Sequence, residues 1–209
     1  MTSVAFPRSA RRRVAVIAMA LTVGVVATAC KTKEPVSGTK VLLVGNSLMN
    51  GSRDKVTTTL EGDGWQPDIE AQGGTTITYW SKRIPYLVAS KQPDVVVIEL
   101  GTNDCSPTEC PALGPYNDEI MRSIPSSTPV LWLNIQEKIP LAQKRNYINY
   151  EIESAAARWP NLYLVDYESR IENHPQYHTP DGLHLNDAGQ QLLADLLRES
   201  LVPFKPRGA

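Results

Sequence analysis

The fold of this chain is decided by the stretch Val41-Leu42-Leu43-Val44-Gly45-Asn46-Ser47-Leu48. Its four leading apolar residues predict a buried β-strand, and Gly45 ends the run. A strand that leads into a tight turn and then a helix presents a side chain at the rim of a parallel sheet, where open α/β sheets hold their ligands. Here that side chain is the hydroxyl of Ser47, which is a useful nucleophile only where a base reaches it and amide donors receive an oxyanion. Taken alone, the same pattern also fits a serine that caps the next helix.

Strand and helix signals alternate along the rest of the chain. Apolar and β-branched runs predict further strands at residues 67–71, 94–100, 130–135 and 162–165. Helical spacing predicts helices at residues 52–60, 78–90 with a break near Pro85, 116–124, 143–159 and 187–201, and an irregular loop is expected over 168–183. This alternation predicts an α/β fold, namely a three-layer α/β/α sandwich around a flavodoxin-like, five-stranded parallel sheet of order 2-1-3-4-5.

In such a sheet the chemistry-bearing residues converge at one edge. Five segments that follow strands should emerge there, at Ser47, Gly74, Asn103, Gln136 and the loop that carries His184. This convergence, more than any single motif, predicts a functional site.

The segment Asp181-Gly182-Leu183-His184 supplies a base for Ser47. An aspartate three residues before a histidine can accept the Nδ1 proton, so that Nε2 faces outward as the acceptor. Three groups are candidate oxyanion donors, namely the backbone N–H of Ser47, the backbone N–H of Gly74 and the side-chain amide of Asn103. Gly73 is the alternative to Gly74, because two overlapping Gly-x-Thr patterns fit this loop. We expect the other two histidines, His174 and His178, to be loop or rim residues rather than metal ligands, and we predict no metal site and no cofactor.

Four blocks together carry a family resemblance: Gly45-Asn46-Ser47-Leu48, Gly73-Gly74-Thr75, Gly101-Thr102-Asn103-Asp104 and Asp181-Gly182-Leu183-His184. In order and spacing the chain resembles the SGNH (GDSL-type) hydrolase superfamily from residue 40 to about residue 201. The resemblance implies a flavodoxin-like sandwich and cofactor-free ester hydrolysis. It also implies that Ser47 is the nucleophile, that Gly74 and Asn103 join Ser47 as oxyanion donors, and that Asp181 and His184 complete a triad. One departure is Asn46, where the family usually has aspartate, and it should alter the hydrogen bonding of the turn.

The first 29 residues read as a targeting segment. Four arginines precede an uncharged, mostly apolar run over residues 14–29, and small residues lead to Cys30. This pattern resembles a bacterial lipoprotein signal peptide, with Cys30 as the lipidated first residue of an exported chain; an uncleaved anchor is the alternative. Residues 30–38 would then be the lipidated cysteine and a tether, and residues 39–209 one hydrolase domain. The expected location is the extracytoplasmic face of the cell membrane, with the protein held there as a monomer by the lipid on Cys30.

The charge of the chain bears on its partners, and its cysteines bear on disulfide formation. Without the four arginines of residues 1–29, the chain has 17 basic and 22 acidic residues, a formal net charge of −5, which disfavours a nucleic-acid partner. If Cys30 is acylated, Cys105 and Cys110 remain as a pair, which in an exported protein indicates a disulfide.

The leading functional prediction is an extracytoplasmic serine esterase that acts on a small acyl ester, such as an acetylated glycan. Three alternatives stay open. The same triad could transfer an acyl group to a glycan hydroxyl, the fold could serve as a non-catalytic module that binds glycan or a protein partner, and the turn after the first strand could cradle a flavin phosphate.

Overall fold

The computed structural model describes residue 33 and residues 36–106, 109–136 and 142–206. The predicted signal peptide over residues 1–29 and the predicted lipidation site Cys30 lie outside these residues, so both stay predictions.

Five parallel strands form one sheet in the order β2-β1-β3-β4-β5. The strands are β1 (Lys40–Gly45), β2 (Gln66–Ala71), β3 (Val95–Glu99), β4 (Val130–Leu133) and β5 (Leu162–Val165). The predicted sheet and strand order are confirmed. The register aligns Gly45 with Ala71 on one side and with Glu99 on the other, so the carboxyl ends of the three strands at this edge are level.

Helices cover both faces of the sheet. In chain order they are α1 (Ser47–Gly51), α2 (Arg53–Gly62), α3 (Ile77–Ser81), α4 (Ile84–Lys91), α5 (Gly114–Ser123), α6 (Ala142–Arg158), α7 (Tyr167–Ile171) and α8 (Asp187–Leu201). Short 3-10 turns lie at Pro175–Tyr177 and Val202–Phe204. In the described ranges, no helix combines the length and the apolar character that a membrane span requires.

The alternation of side chains along the central strands builds two separate cores. Odd-numbered residues of β1 and β3 pack with α1, α2, α7 and α8, and even-numbered residues of both strands pack with α3, α4, α5 and α6. All five residues of β3 are buried, as expected for a strand covered on both faces. Helix α8 packs against α2 and is joined to it by an ion pair between Lys55 and Asp187 at 3.0 Å.

The helices differ from the predicted ones in two places. The helix expected over residues 78–90 is divided into α3 and α4, and Pro85 lies in the first turn of α4, where its missing N–H costs no hydrogen bond. The irregular loop expected over 168–183 is wrong at its start, because α7 occupies Tyr167–Ile171. The side chain of Asp166 accepts a hydrogen bond from the Ser169 N–H at 3.2 Å and so caps this helix, a signal that was missed.

Candidate active site

Ser47 stands at the carboxyl end of β1 as the first residue of α1. The preceding residue, Asn46, is fully buried, and its side-chain oxygen accepts a hydrogen bond from the Leu48 N–H at 2.9 Å. The turn is therefore capped by Asn46, and the capping role that Ser47 could have had is already filled. Ser47 itself remains partly exposed at the rim of the sheet.

The structure brings Ser47, His184 and Asp181 together in a chain of hydrogen bonds. His184 Nε2 lies 3.1 Å from Ser47 Oγ, and His184 Nδ1 lies 2.7 Å from Asp181 Oδ2. Because a carboxylate only accepts hydrogen bonds, the Nδ1 of a neutral His184 carries the proton and Nε2 is the acceptor for the serine hydroxyl. This is the arrangement that a serine nucleophile and its general base require.

Asp181 is fixed by its own short loop. Its second oxygen, Oδ1, accepts hydrogen bonds from the N–H groups of Leu183 and His184 at 2.8 and 3.0 Å and from the Thr179 hydroxyl at 2.8 Å. The hydrogen bond from His184, followed by those from the loop, holds the pKa of Asp181 well below its usual range. Asp181 is therefore ionised and able to orient His184 throughout the pH range in which proteins are stable.

The loop that follows β2 passes directly beside the serine. A Cβ atom placed on Gly73 would lie 3.7 Å from the Cβ of Ser47. Gly74 adopts a φ of +75°, a backbone conformation that residues with side chains rarely adopt, and it faces open space. Gly73 thus borders the serine, and Gly74 as the oxyanion donor stays a prediction.

Asn103 is tied to the same loop. Its Nδ2 donates a hydrogen bond to the Thr75 carbonyl oxygen at 3.1 Å, which uses one of its two amide hydrogens. Thr75 is in turn buried, and its hydroxyl accepts a hydrogen bond from Trp80 Nε1 at 2.9 Å. These contacts fix the amide group relative to the Gly74 loop.

Sequence reasoning missed two buried carboxyl groups that support these loops. Asp104 is 7% exposed, and its oxygens lie 2.9 and 3.1 Å from the Ile77 backbone nitrogen at the start of α3. Burial raises the pKa of Asp104 to about 7. Glu99, at the end of β3, is 3% exposed and lies beneath the Ser47 turn. The available signal for Glu99 was an acidic residue inside the apolar run Val95-Val96-Val97-Ile98-Glu99-Leu100.

The predicted disulfide between Cys105 and Cys110 is present. It begins two residues after Asn103 and one after Asp104, so it closes the loop that leaves the candidate site. Among the described residues, no group of three or more histidine, cysteine, aspartate or glutamate side chains is placed to hold a metal ion.

A cavity of about 610 Å³ opens beside the Asp181 loop. Its walls include Thr179 and Gly182 of that loop, and both predicted rim histidines, His174 and His178, line it. Gln136, which follows β4, also lines the cavity. The cavity walls are mixed in character, with prolines beside amide, imidazole and charged groups.

The sequence matches one protein-family model over most of its length. Residues 43–192 match the model of the GDSL-like lipase/acylhydrolase family, a span that contains Ser47, Asp181 and His184. The sheet order and the helices on both of its faces are those of the flavodoxin-like α/β fold of SGNH-type proteins. The chain belongs to the GDSL-like lipase/acylhydrolase family.

Sequence identity to individual relatives is low. The chain is 26% identical over 175 residues to the O-acetyltransferase OatA of Staphylococcus aureus, an alignment that covers 81% of this chain and 26% of that protein. This chain thus spans about a quarter of that relative's length.

Solved structures share the fold. A lipase/acylhydrolase from Enterococcus faecalis superposes with a TM-score of 0.67 at 20% identity, covering 81% of this chain and 99% of that one. The C-terminal catalytic domain of the peptidoglycan O-acetyltransferase OatA of Streptococcus pneumoniae gives a TM-score of 0.65 at 19% identity, covering 82% and 99%.

Proposed function

We propose that this chain is an extracytoplasmic serine esterase that hydrolyses small acyl esters, of the acetyl type, through an acyl-enzyme on Ser47. One observation carries the proposal: the line of contacts from Ser47 through His184 to Asp181, at 3.1 and 2.7 Å. Membership of an acylhydrolase family supports the reaction class.

The first half-reaction forms the acyl-enzyme. His184 Nε2 takes the proton of Ser47 as Oγ attacks the ester carbonyl carbon, and the ionised Asp181 stabilises the imidazolium that results. The carbonyl oxygen becomes an oxyanion, which would be received by the N–H groups of Ser47 and Gly74 and by the side-chain amide of Asn103. When the C–O bond breaks, His184 returns the proton to the departing alkoxide.

The second half-reaction releases the acid. A water molecule gives a proton to His184 and attacks the acyl carbon, and collapse of the second tetrahedral intermediate regenerates the Ser47 hydroxyl. The side chains of His184 and Asp181 are about half exposed, at 47% and 50%, which gives water direct access. Such an open site favours a short acyl group over a long chain that needs an apolar tunnel.

Acyl transfer to a glycan hydroxyl is the second candidate function, and the similarity to O-acetyltransferase OatA favours it specifically. A sugar hydroxyl would replace water in the second half-reaction. The cavity of about 610 Å³ beside Thr179 and Gly182 offers space for such an acceptor along the loop that carries Asp181. The lipid on Cys30 would hold either enzyme at the outer face of the cell membrane as a monomer, with an acylated glycan as the natural partner.

The test is a comparison of the purified full chain with Ser47→Ala and with Ser90→Ala, a matched control on an exposed serine of α4. We expect release of p-nitrophenol from the acetate ester to require Ser47 and to exceed release from the octanoate ester. Adding a chitin oligosaccharide distinguishes the two functions, since mass spectrometry detects either free acetate or an acetylated sugar. Equal rates for the wild type and Ser47→Ala would reject both functions and leave a binding module.

A further inference from the structure

The carboxyl group of Glu99 lies directly beneath the turn that presents Ser47. Glu99 is the last residue of β3 and is aligned with Gly45, the last residue of β1, so its side chain meets the backbone where β1 turns into α1. It is 3% exposed, and no cationic side chain is among its hydrogen-bond partners in the described residues. A buried acid without a cation is costly unless its oxygens are well satisfied by hydrogen bonds.

Within the part of the chain that the structure describes, the Glu99 carboxyl group accepts its hydrogen bonds from residues 46–49, which we call the nucleophile turn. Oε1 accepts from Asn46 Nδ2 at 3.0 Å, and Oε2 accepts from the backbone N–H groups of Asn46 and Met49, each at 3.2 Å. These N–H groups flank Ser47 on both sides in sequence. Because every partner is a donor, the ionised carboxylate is the form that matches the site, and a protonated oxygen would oppose one of the donors.

We propose that Glu99 is a positioning residue for the nucleophile, and that Asn46 and Glu99 act as a matched hydrogen-bonded pair. The pair fixes the backbone on either side of Ser47, which sets both the direction of Oγ toward His184 and the direction of the Ser47 N–H toward the oxyanion. The proposal rests on the esterase or transferase function proposed above, in which Ser47 is the nucleophile. Glu99 itself touches no reacting atom and acts only through the turn.

The pairing also explains the departure from the usual Gly-Asp-Ser-Leu block. An aspartate at position 46 would place a second carboxylate oxygen near Glu99 Oε1, where Asn46 Nδ2 now lies at 3.0 Å. Two carboxylates at that distance cannot both ionise and must share a proton. Asn46 removes the conflict because its amide donates to Glu99 while its oxygen still accepts the Leu48 N–H at 2.9 Å.

The geometry allows an exchange of the two functional groups as a test. In Glu99→Gln, the amide oxygen can replace Oε2 and accept both backbone N–H groups, but the new amide nitrogen then opposes the Asn46 amide nitrogen. In the double variant Asn46→Asp/Glu99→Gln, the same hydrogen bond is restored with its direction reversed, from residue 99 to residue 46. A role that depends only on packing volume would not distinguish the single from the double variant, since all these side chains are nearly equal in size.

Two readouts are measured on the full chain, beside Glu70→Gln as a matched control at the end of β2. The first is the exchange of the amide hydrogens of residues 45–50, followed by mass spectrometry. We expect Glu99→Gln to raise this exchange at least tenfold and the double variant to return it to within about threefold of wild type. The second is turnover of p-nitrophenyl acetate, where we expect Glu99→Gln to lower kcat by about 10²-fold with little change in KM, and the double variant to recover most of the loss.

The outcomes separate this proposal from the proposed function. Exchange that is restored in the double variant, in a protein without Ser47-dependent turnover, would support the pair and reject the function. Ser47-dependent turnover with wild-type exchange and kcat in Glu99→Gln would keep the function and overturn the pair, as would a double variant no better than the single one. If Glu99→Gln fails to fold, the single variant Asn46→Asp decides: the pair predicts a new loss of kcat as pH rises and the shared proton leaves, and an unchanged pH profile overturns it.

Discussion

His184 Nε2 and Ser47 Oγ lie 3.1 Å apart although 137 residues separate them in the sequence. Ser47 is held by the first strand and His184 by the turn before the last helix, so their contact depends on the assembled sheet and on the packing of α8. Neither side chain is buried deeply, and their geometry comes from the backbone around them: the capped turn at Asn46 for one, and the Asp181 loop for the other.

The contact predicts that Ser47 and His184 act as a unit. We expect Ser47→Ala and His184→Ala each to lower kcat for p-nitrophenyl acetate by about 10³-fold or more, because nucleophile and base are useful only together. The double variant should be no slower than either single variant. Steady-state kinetics on the three proteins checks this, and additive losses would show that the two residues work independently.

Asn103 should contribute to the transition state rather than to substrate binding. Its amide is fixed by the Thr75 carbonyl oxygen and has a second hydrogen left to donate to an oxyanion. We expect Asn103→Ala to lower kcat by about 10²–10³-fold while KM changes less than threefold. Asn117→Ala is a suitable control, since that buried asparagine donates to the Glu151 carbonyl oxygen between two helices away from the site. A raised KM with unchanged kcat would contradict the assignment.

Removing the disulfide should lower the stability of the fold, and it should reduce activity only modestly. The loop between Cys105 and Cys110 is short, so loss of the cross-link should lower the free energy of unfolding by about 2 kcal/mol. We expect Cys105→Ser/Cys110→Ser to retain Ser47-dependent turnover within about tenfold of wild type, because Asp104 still anchors the chain to α3 through the Ile77 N–H. Urea unfolding and turnover, each compared with wild type under oxidising conditions, measure the two effects. A complete loss of turnover in a folded variant would assign the disulfide a larger role.

The two buried carboxyl groups predict how stability depends on pH. Burial raises the pKa of Glu99 from 4.5 to about 8 and that of Asp104 from 3.8 to about 7. Between about pH 4 and pH 8 the folded protein therefore retains protons that the unfolded chain has released, so the free energy of unfolding falls as pH rises across this window. The double variant Glu99→Gln/Asp104→Asn removes both titrating groups and should therefore flatten the fall.

Urea denaturation at pH 5, 6, 7 and 8 measures these slopes, and an equal slope in the wild type and in the double variant would contradict the prediction.

The activity should rise as the pH rises, because the ionised form of Glu99 is the one that its hydrogen-bond donors match. The titratable group that faces Glu99 from α7 is the buried hydroxyl of Tyr167. A Tyr167→Phe variant checks whether that hydroxyl contributes to either trend.

The sequence predicted the sheet and the main site contacts for identifiable reasons. Strand order followed from the alternation of strands and helices and from the handedness of parallel crossovers. The contact of Ser47 with His184 followed from the expectation that Ser47 and the loop that carries His184 emerge at the same edge of the sheet. The support of the Ser47 turn by Glu99 could not be predicted, because it joins Asn46 to Glu99, 53 residues later, through a side chain whose burial is known only once strands β1 and β3 are aligned. Helix α7 was missed because five residues show too little periodicity, and its cap at Asp166 resembled an ordinary loop aspartate.

The placement of Asp181 and His184 so late in the chain gives the protein a built-in order of assembly. Synthesis from the N-terminus delivers Ser47 and strands β1 and β3 well before residue 181, so the turn that presents the serine can form before its partner residues exist. The contact of Ser47 with His184 also requires the segment before α8 to be in place, and α8 is held on α2 by contacts such as that of Lys55 with Asp187. A chain interrupted before residue 181 therefore carries the serine without the aspartate and histidine that lie beside it in the folded protein.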